Sequence, residues 1–367
     1  MMKNDELIAS IFGHTKNDYA DAGNAAIVHL NTGDKVYVKA HNNYNHALFG
    51  RTDQIYTTIT GELLFADNIE LDVENFYGPV GFSAILTKHA SVSGGSAVLY
   101  DKTITNIGSG YNTTTGTFTA PVEGTYLFHF HALAHENTDF WLELFHNEHY
   151  VISSYGYTEG SYADAGNTAV LHLKKGYIRH SKNQLSRPGY IRSRTARLYG
   201  ASNELYTTFC GALLSPTVKK ISGHGTQEEI AFSAGLTHHE TSSESSKVVF
   251  DRVFLNHGLS FNANTGVFTA PVAGIYVFHY HALAQQDKAE WVELYHNYIY
   301  INSLYAHTSG EFGSGSNSAA LELDVGDTVY LDIQHRGSYL YGSTDQIYCT
   351  FSGYLLSPIS RHNPVVG

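Results

Sequence analysis

The chain has 367 residues and a formal net charge of -12 at pH 7. Its 27 Tyr, 19 Phe and 34 Gly against only 2 Met point to strands and turns, because aromatic side chains suit a pleated, half-buried surface. A general acidic excess excludes nucleic acid, whose phosphates would need a basic stripe, and no apolar stretch approaches the length of a membrane-spanning helix.

The start, Met-Met-Lys-Asn-Asp-Glu, lacks the apolar core of a secretory signal and taken alone reads as cytoplasmic. The residues after it belong to a repeat. Tyr19-Ala-Asp-Ala-Gly-Asn24 returns as Tyr162-Ala-Asp-Ala-Gly-Asn167, and Phe49-Gly through Leu64 returns as Tyr199-Gly through Leu214 and Tyr341-Gly through Leu356. The longest shared run, Phe118 to Leu133, recurs as Phe268 to Leu283, and the register carries Trp141 onto Trp291, His146 onto His296, Asn167 onto Asn317 and Gly176 onto Gly326. The period is too long for a solenoid, so the chain reads as an array of globular modules. Residues 1–64 form the second half of one module, 82–216 and 232–358 are whole modules, 65–81 and 217–231 are linkers, and 359–367 is a tail. A half-module leaves unpaired sheet edges, so poor order or completion by strands of another chain is expected of it.

Between Pro121-x-x-Gly124 and Leu133 the hydrophobicity alternates with period two. Tyr126, Phe128 and Phe130 share one face, expected to be core, and Leu127, His129 and His131 share the other; Tyr276, Phe278 and Tyr280 repeat the first set. Asn112 to Gly116 and Asn262 to Gly266 are turns leading into Phe118 and Phe268. Many short strands with no amphipathic helix between them indicate a sandwich or barrel. The first whole module departs from the pattern after Gly176, reading Tyr177-Ile-Arg-His180 where the second reads Asp327-Thr-Val-Tyr330. Extra residues lie between there and Leu198, with Arg187, Arg192, Arg194 and Arg197 among them. This segment is either a basic binding loop or of non-coding origin, such as a retained intron.

Phe82-Ser-Ala84 and Phe232-Ser-Ala234, Tyr100-Asp101 with Asn106, and Phe250-Asp251 with Asn256 open the two modules. Next come Gly116-x-Phe118-x-x-Pro121-x-x-Gly124-x-Tyr126-x-Phe128 and its copy, then Gly326-Asp327-x-Val329 and Tyr348-x-x-Phe351-Ser-Gly353-x-Leu-Leu356. These residues resemble the globular head domain of complement C1q, part of the C1q/TNF-like superfamily. The resemblance implies an all-β chain of repeated ten-stranded antiparallel jelly-roll β-sandwiches, packed as trimers. It also implies secreted, non-enzymatic recognition modules that bind ligands through exposed loops. With no collagen-like repeat or coiled coil, a trimeric or pseudo-trimeric assembly would have to come from the heads themselves.

No nucleophile elbow, zincin motif, dinucleotide fingerprint or phosphate loop is present, so no enzyme is expected. His129 and His131, with His279 and His281, stand about 7 Å apart on one strand face, a spacing that suits either a subunit interface or chelation of a divalent metal. The resemblance adds calcium near a trimer apex, but no acid-rich loop names its ligands. For ligand binding the loop before the last strand is the best candidate, with Tyr199, Ser202 and Asn203 in one module, Tyr341, Ser343, Thr344 and Asp345 in the next, and Gly50 to Asp53 in the half-module. Hydroxyl, amide and carboxylate groups beside an aromatic face suit sugar hydroxyls, and the same residues suit an ordinary turn. The expected function is lectin-like, multivalent binding of carbohydrate or microbial surface patterns of innate-immune type. An extracellular structural or histidine-rich metal-binding protein and a TNF-like signalling ligand are the alternatives. Cys210 and Cys349 fall at non-equivalent positions and are expected to be buried thiols.

Overall fold

A computed structural model describes residues 1–13, 21–40, 48, 57–64, 80–93, 95–157, 162–176, 189–217, 229–241, 246–307, 309–310, 312–333 and 337–359. The chain is all-β and antiparallel, and among these residues no helix is long and apolar enough to cross a membrane. Each whole module is a sandwich. In the first, one sheet runs Asp164–Leu173, Gly124–Leu133, Thr208–Pro216, Gly81–Ile85, Lys102–Ile107. The facing sheet runs His149–Gly156, Phe140–His146, Gly189–Ala201, Thr117–Phe118, Tyr111–Asn112. The second module repeats this order, with Ser314–Leu323, Gly274–Leu283, Thr350–Pro358, Ala231–Gly235 and Arg252–His257 in the first sheet.

The expected aromatic face fills both cores. Phe118, Tyr126, Phe128 and Phe130 are buried together, as are Phe268, Tyr276, Phe278 and Tyr280. Phe82 stacks on Tyr111 and Phe118 at 4.9 Å, and Phe232 stacks on Phe261 at 4.6 Å. Tyrosine is tolerated inside because its hydroxyl finds a partner: Tyr126 Oη donates to the Val122 carbonyl at 2.7 Å and Tyr276 Oη to the Val272 carbonyl at 2.8 Å. Gly211 and Gly353 are small by necessity, since a Cβ there would lie 2.7 Å from a ring carbon of Phe82 or 2.6 Å from one of Phe278.

The departure in the first module resolves differently from its sequence register. Gly-Tyr-Ile-Arg occurs twice, at 176–179 and at 189–192, and the second copy builds the strand. Ile191 pairs with Leu144 as Leu331 pairs with Leu294, while Gly176 N still donates to the Ala120 carbonyl at 2.9 Å as Gly326 N does to Ala270 at 2.8 Å. The extra residues therefore fall between Gly176 and the start of the strand at Gly189, and Arg192, Arg194 and Arg197 belong to the strand itself. Pro188, which has no amide donor, would be misplaced inside a central strand continued from the first copy. Residues 177–188 lie outside the described residues, as do most of both linkers and the tail, whereas Arg197 is exposed on the strand itself.

The three copies close into a ring within one chain. Asn167 of the first whole module donates to the Tyr348 carbonyl of the second at 2.9 Å and accepts from Thr350 Oγ1 at 2.6 Å. Asn24 of the half-module makes the same pair of bonds to Tyr206 O (3.0 Å) and Thr208 Oγ1 (2.7 Å) of the first whole module. Asn317 of the second accepts from Thr58 Oγ1 of the half-module at 2.6 Å. Each asparagine is held by its own copy in the same way, with Nδ2 donating to Ser10, Ser153 or Ser303. Half to first, first to second and second back to half is a heterologous contact that closes, which is pseudo-threefold symmetry. The described part of the half-module thus docks on the two whole modules of its own chain, which corrects the expectation of disorder or completion by another chain. An apolar seam of Leu127 and Val170 against Ala231, Leu255, Val277 and Tyr354 seals the junction between the whole modules.

Candidate functional site

Three equivalent segments, one from each copy, meet at the centre of the ring. Asp21-Ala-Gly23, Asp164-Ala-Gly166 and Ser314-Gly-Ser316 together line a small depression of about 10 Å³. Asp21 accepts from Ala22 N and Ser316 N, both at 2.8 Å. Burial pushes its carboxyl up to about 7, against those backbone bonds and with the Asp164 charge adding to the rise. Beside Gly315 the carboxyl of the fully buried Glu290 is raised well above the usual range, by burial first and by the Asp21 charge second, against a backbone hydrogen bond from Gly315.

The strand histidines sit around this centre in two different states. Burial alone would depress His131, but the charge and hydrogen bond of Asp164, 2.7 Å from Nε2, together with the Tyr206 carbonyl 2.7 Å from Nδ1, raise it instead. His281 donates from Nδ1 to the Tyr348 carbonyl at 2.6 Å, but its Nε2 meets the Ser314 hydroxyl at 3.0 Å, and burial lowers it to about 4. His129 and His279 are lowered too, by burial first, with the neighbouring His131, His279 and His281 adding to the effect at His129. His129 Nδ1 lies 2.9 Å from Thr168 Oγ1. Both nitrogens of His131 and of His281 are thus committed to hydrogen bonds, which leaves His129 Nε2 and His279 Nε2 as the ring nitrogens without a partner.

The donor set at the ring centre does not fit calcium. That ion takes six to eight oxygens, and here two carboxylates face the depression, one already paired with an imidazole, while the third copy replaces the acid with Ser314.

The expected ligand loops lie beside rings that sequence reasoning missed. His89 packs edge-on to Tyr199 at 4.7 Å, and its Nδ1 accepts from Gly200 N at 3.2 Å. Its equivalent His239 lies 4.7 Å from Tyr341 and accepts from Gly342 N at 3.1 Å. The signal was available, because both imidazoles stand at the same offset in the two modules. Ser202, Asn203, Thr344 and Asp345 are exposed, and the two tyrosines and Ser343 are half-buried. Tyr199 Oη donates to Glu204, Tyr341 Oη to Gln346 at 2.9 Å, and Ser343 Oγ to Asp345 at 2.5 Å. Gly200 and Gly342 let the loop run against the backbone, since a Cβ would lie 2.3 Å from Lys88 O and 2.1 Å from His238 O. The half-module counterpart, 50–53, lies outside the described residues.

A family model for the C1q domain matches residues 81–214 and 231–356. The chain belongs to the C1q-domain family. It is 37% identical over 130 residues to complement C1q tumor necrosis factor-related protein 3 of Mus musculus, covering 35% of this chain and 51% of that protein. It is also 37% identical over 134 residues to Caprin-2 of Danio rerio, covering 36% of this chain and 14% of that one. The chain thus spans about half the length of the first relative. Among solved structures, the globular domain of zebrafish complement 1qA protein overlays at a TM-score of 0.31 and 22% identity, covering 35% of this chain and 99% of that one. The two spans of the family match coincide with the two whole sandwiches, one C1q domain on each.

Proposed function

We propose that this C1q-domain chain is a non-enzymatic, extracellular recognition protein that binds carbohydrate or microbial surface patterns through its repeated loops. The observation that supports this most is the joint placement of exposed Ser202 and Asn203, and of Thr344 and Asp345, beside a histidine and tyrosine pair in each module. Stacking faces with nearby hydroxyl and amide groups suit a sugar ring, and a closed ring of copies raises avidity without new contacts. The two loops differ in charge, with Asn203 in one and Asp345 in the other, so each selects its own sugar. Asn112 of the sequon Asn112-Thr-Thr114 is exposed at the end of the strand Tyr111–Asn112, as an attached glycan would require of a secreted protein.

The test is a glycan array and a panel of bacterial surfaces, probed with the full chain and with Asn203→Ala plus Asp345→Ala. Saturable binding that the double variant loses while keeping its circular dichroism supports the reading. Binding unaffected by the substitutions, or none to any glycan or cell surface, overturns it.

A further inference from the structure

Away from the ring centre and the loops, three side chains from separate segments converge where the two whole modules meet. His172 comes from the strand Asp164–Leu173, His257 from the strand Arg252–His257, and Glu229 from the segment entering the second module. One potential ligand atom from each lies within 4.8 Å of the others, and among the described residues this is the group of three or more such side chains that does so. His257 Nδ1 is 3.0 Å from Glu229 Oε2, the two imidazole centroids are 5.4 Å apart, and the Nδ1 atoms of both rings lie 3.5 Å from Thr125 Oγ1. The second carboxylate oxygen of Glu229 is out of contact with water and has no hydrogen-bond partner.

We propose that His172, Glu229 and His257 form a binding site for a transition-metal ion of the zinc class that clamps the first whole module to the second. Two imidazole nitrogens and a carboxylate make a borderline donor set that suits zinc and disfavours calcium or magnesium, which prefer all-oxygen cages. Ligand bonds of about 2.0–2.2 Å require the three side chains to draw inward. They can do so, because their side chains are 28%, 23% and 33% exposed, in the order His172, Glu229, His257, and an ion can enter from solvent. The Thr125 hydroxyl, a water molecule, or Glu123, whose Oε1 is 3.7 Å from His172 Nε2, completes a fourth position. Among the described residues the ring has one such site. The residue equivalent to His257 in the first whole module is Ile107 and the one equivalent to His172 in the second is Glu322, so the other junctions lack the set. The inference rests on this geometry and is independent of the sugar-binding reading.

The experiment is equilibrium dialysis of the chelator-treated full chain against Zn²⁺, with Co²⁺ absorption as a report on coordination. The expected result is one zinc per chain, visible cobalt bands of a low-coordinate site, and no displacement by excess Ca²⁺. His172→Gln with His257→Gln should weaken binding by at least the roughly 10–100-fold that loss of an outer-shell partner costs. Glu229→Gln, which leaves both imidazoles in place, should weaken it less, and His129→Gln with His279→Gln should leave it unchanged. Unaltered zinc affinity in the folded double-imidazole variant, loss of binding in the His129/His279 control, displacement by calcium, or no saturable zinc would each overturn the proposal.

Discussion

The two whole modules share most of their aromatic core, the buried Phe140 of the first giving way to the buried Glu290 of the second, yet they treat the same buried imidazole in opposite ways. His131 faces Asp164 and is held toward its charged form, whereas His281 faces Ser314 and is held neutral. The backbone is common to both: each Nδ1 meets the carbonyl of the tyrosine that precedes the last strand, 2.7 Å away for His131 and 2.6 Å for His281. One side chain, three residues before the ring asparagine, sets the difference. A module of fixed fold can therefore carry a charged or a neutral element at the ring centre without disturbing its packing.

The largest effect tests the part of the comparison that is shared. Phe128→Ala and Phe278→Ala each remove a fully buried ring from equivalent cores and should each cost about 3–5 kcal/mol in denaturant unfolding. A cost below about 1 kcal/mol at either position would contradict the burial of that ring. The next test concerns the ring contact. Asn167 uses all of its hydrogen-bonding capacity, with Nδ2 donating to Ser153 O and Tyr348 O, and Oδ1 accepting from Thr168 N and Thr350 Oγ1. Asn167→Ala should cost about 1–3 kcal/mol for each buried group left unpaired. Asn317→Ala, at a less buried copy of the contact, should cost less.

The comparison sharpens on exchanging the acid and the hydroxyl. Asp164→Ser should lower His131 below the ordinary histidine value, and Ser314→Asp should raise His281 from about 4, both read by NMR titration of the imidazoles. His131 contributes stability that is full below about pH 6.5 and is lost as pH rises through its raised value. His279 and His281, both near 4, work the other way: between about 6.5 and 4 the unfolded chain binds protons that the folded chain refuses, so stability falls as pH falls. An exchange that left both titrations unchanged would break the assignment.

The smallest effect belongs to Asp21. Its carboxyl, near 7, contributes stability below the usual carboxylate range that is lost as pH rises through 7. Asp21→Asn should therefore gain on the natural chain between pH 5 and pH 8, measured as the difference in urea midpoints. A constant difference across that range would count against a buried, protonated Asp21.

Much of the fold was legible because the chain repeats itself. The Gly, Pro and aromatic positions of Gly116 to Phe128 recur at Gly266 to Phe278, and period-two alternation correctly assigned Tyr126, Phe128 and Phe130 to the core. The ring was written in the sequence only as three asparagines and three threonines at equivalent places. Which asparagine meets which threonine depends on contacts spanning from 183 to 259 residues, beyond the reach of local periodicity. The strand histidines looked like a chelate because their spacing was visible, but spacing along a strand says nothing of the carbonyls and carboxylate that take up His131 and His281. The group that does converge draws on three distant segments, so no motif announces it. The insertion was bracketed between Gly176 and Leu198 but not located within that span, because Gly-Tyr-Ile-Arg occurs twice there and only strand pairing selects the second copy.

The central claim is that the ring closes within a single chain. The contact that closes it joins Thr58 to Asn317, so the most direct measurement is bismaleimide cross-linking of a Thr58→Cys, Asn317→Cys variant at high dilution. The native Cys210 and Cys349 are buried, and burial raises both thiols, so they stay unreactive. The expected result is one intramolecular cross-link in a species that keeps the 40.4 kDa mass of one chain. Cross-linked dimers and trimers, with no cross-linked monomer, would contradict it.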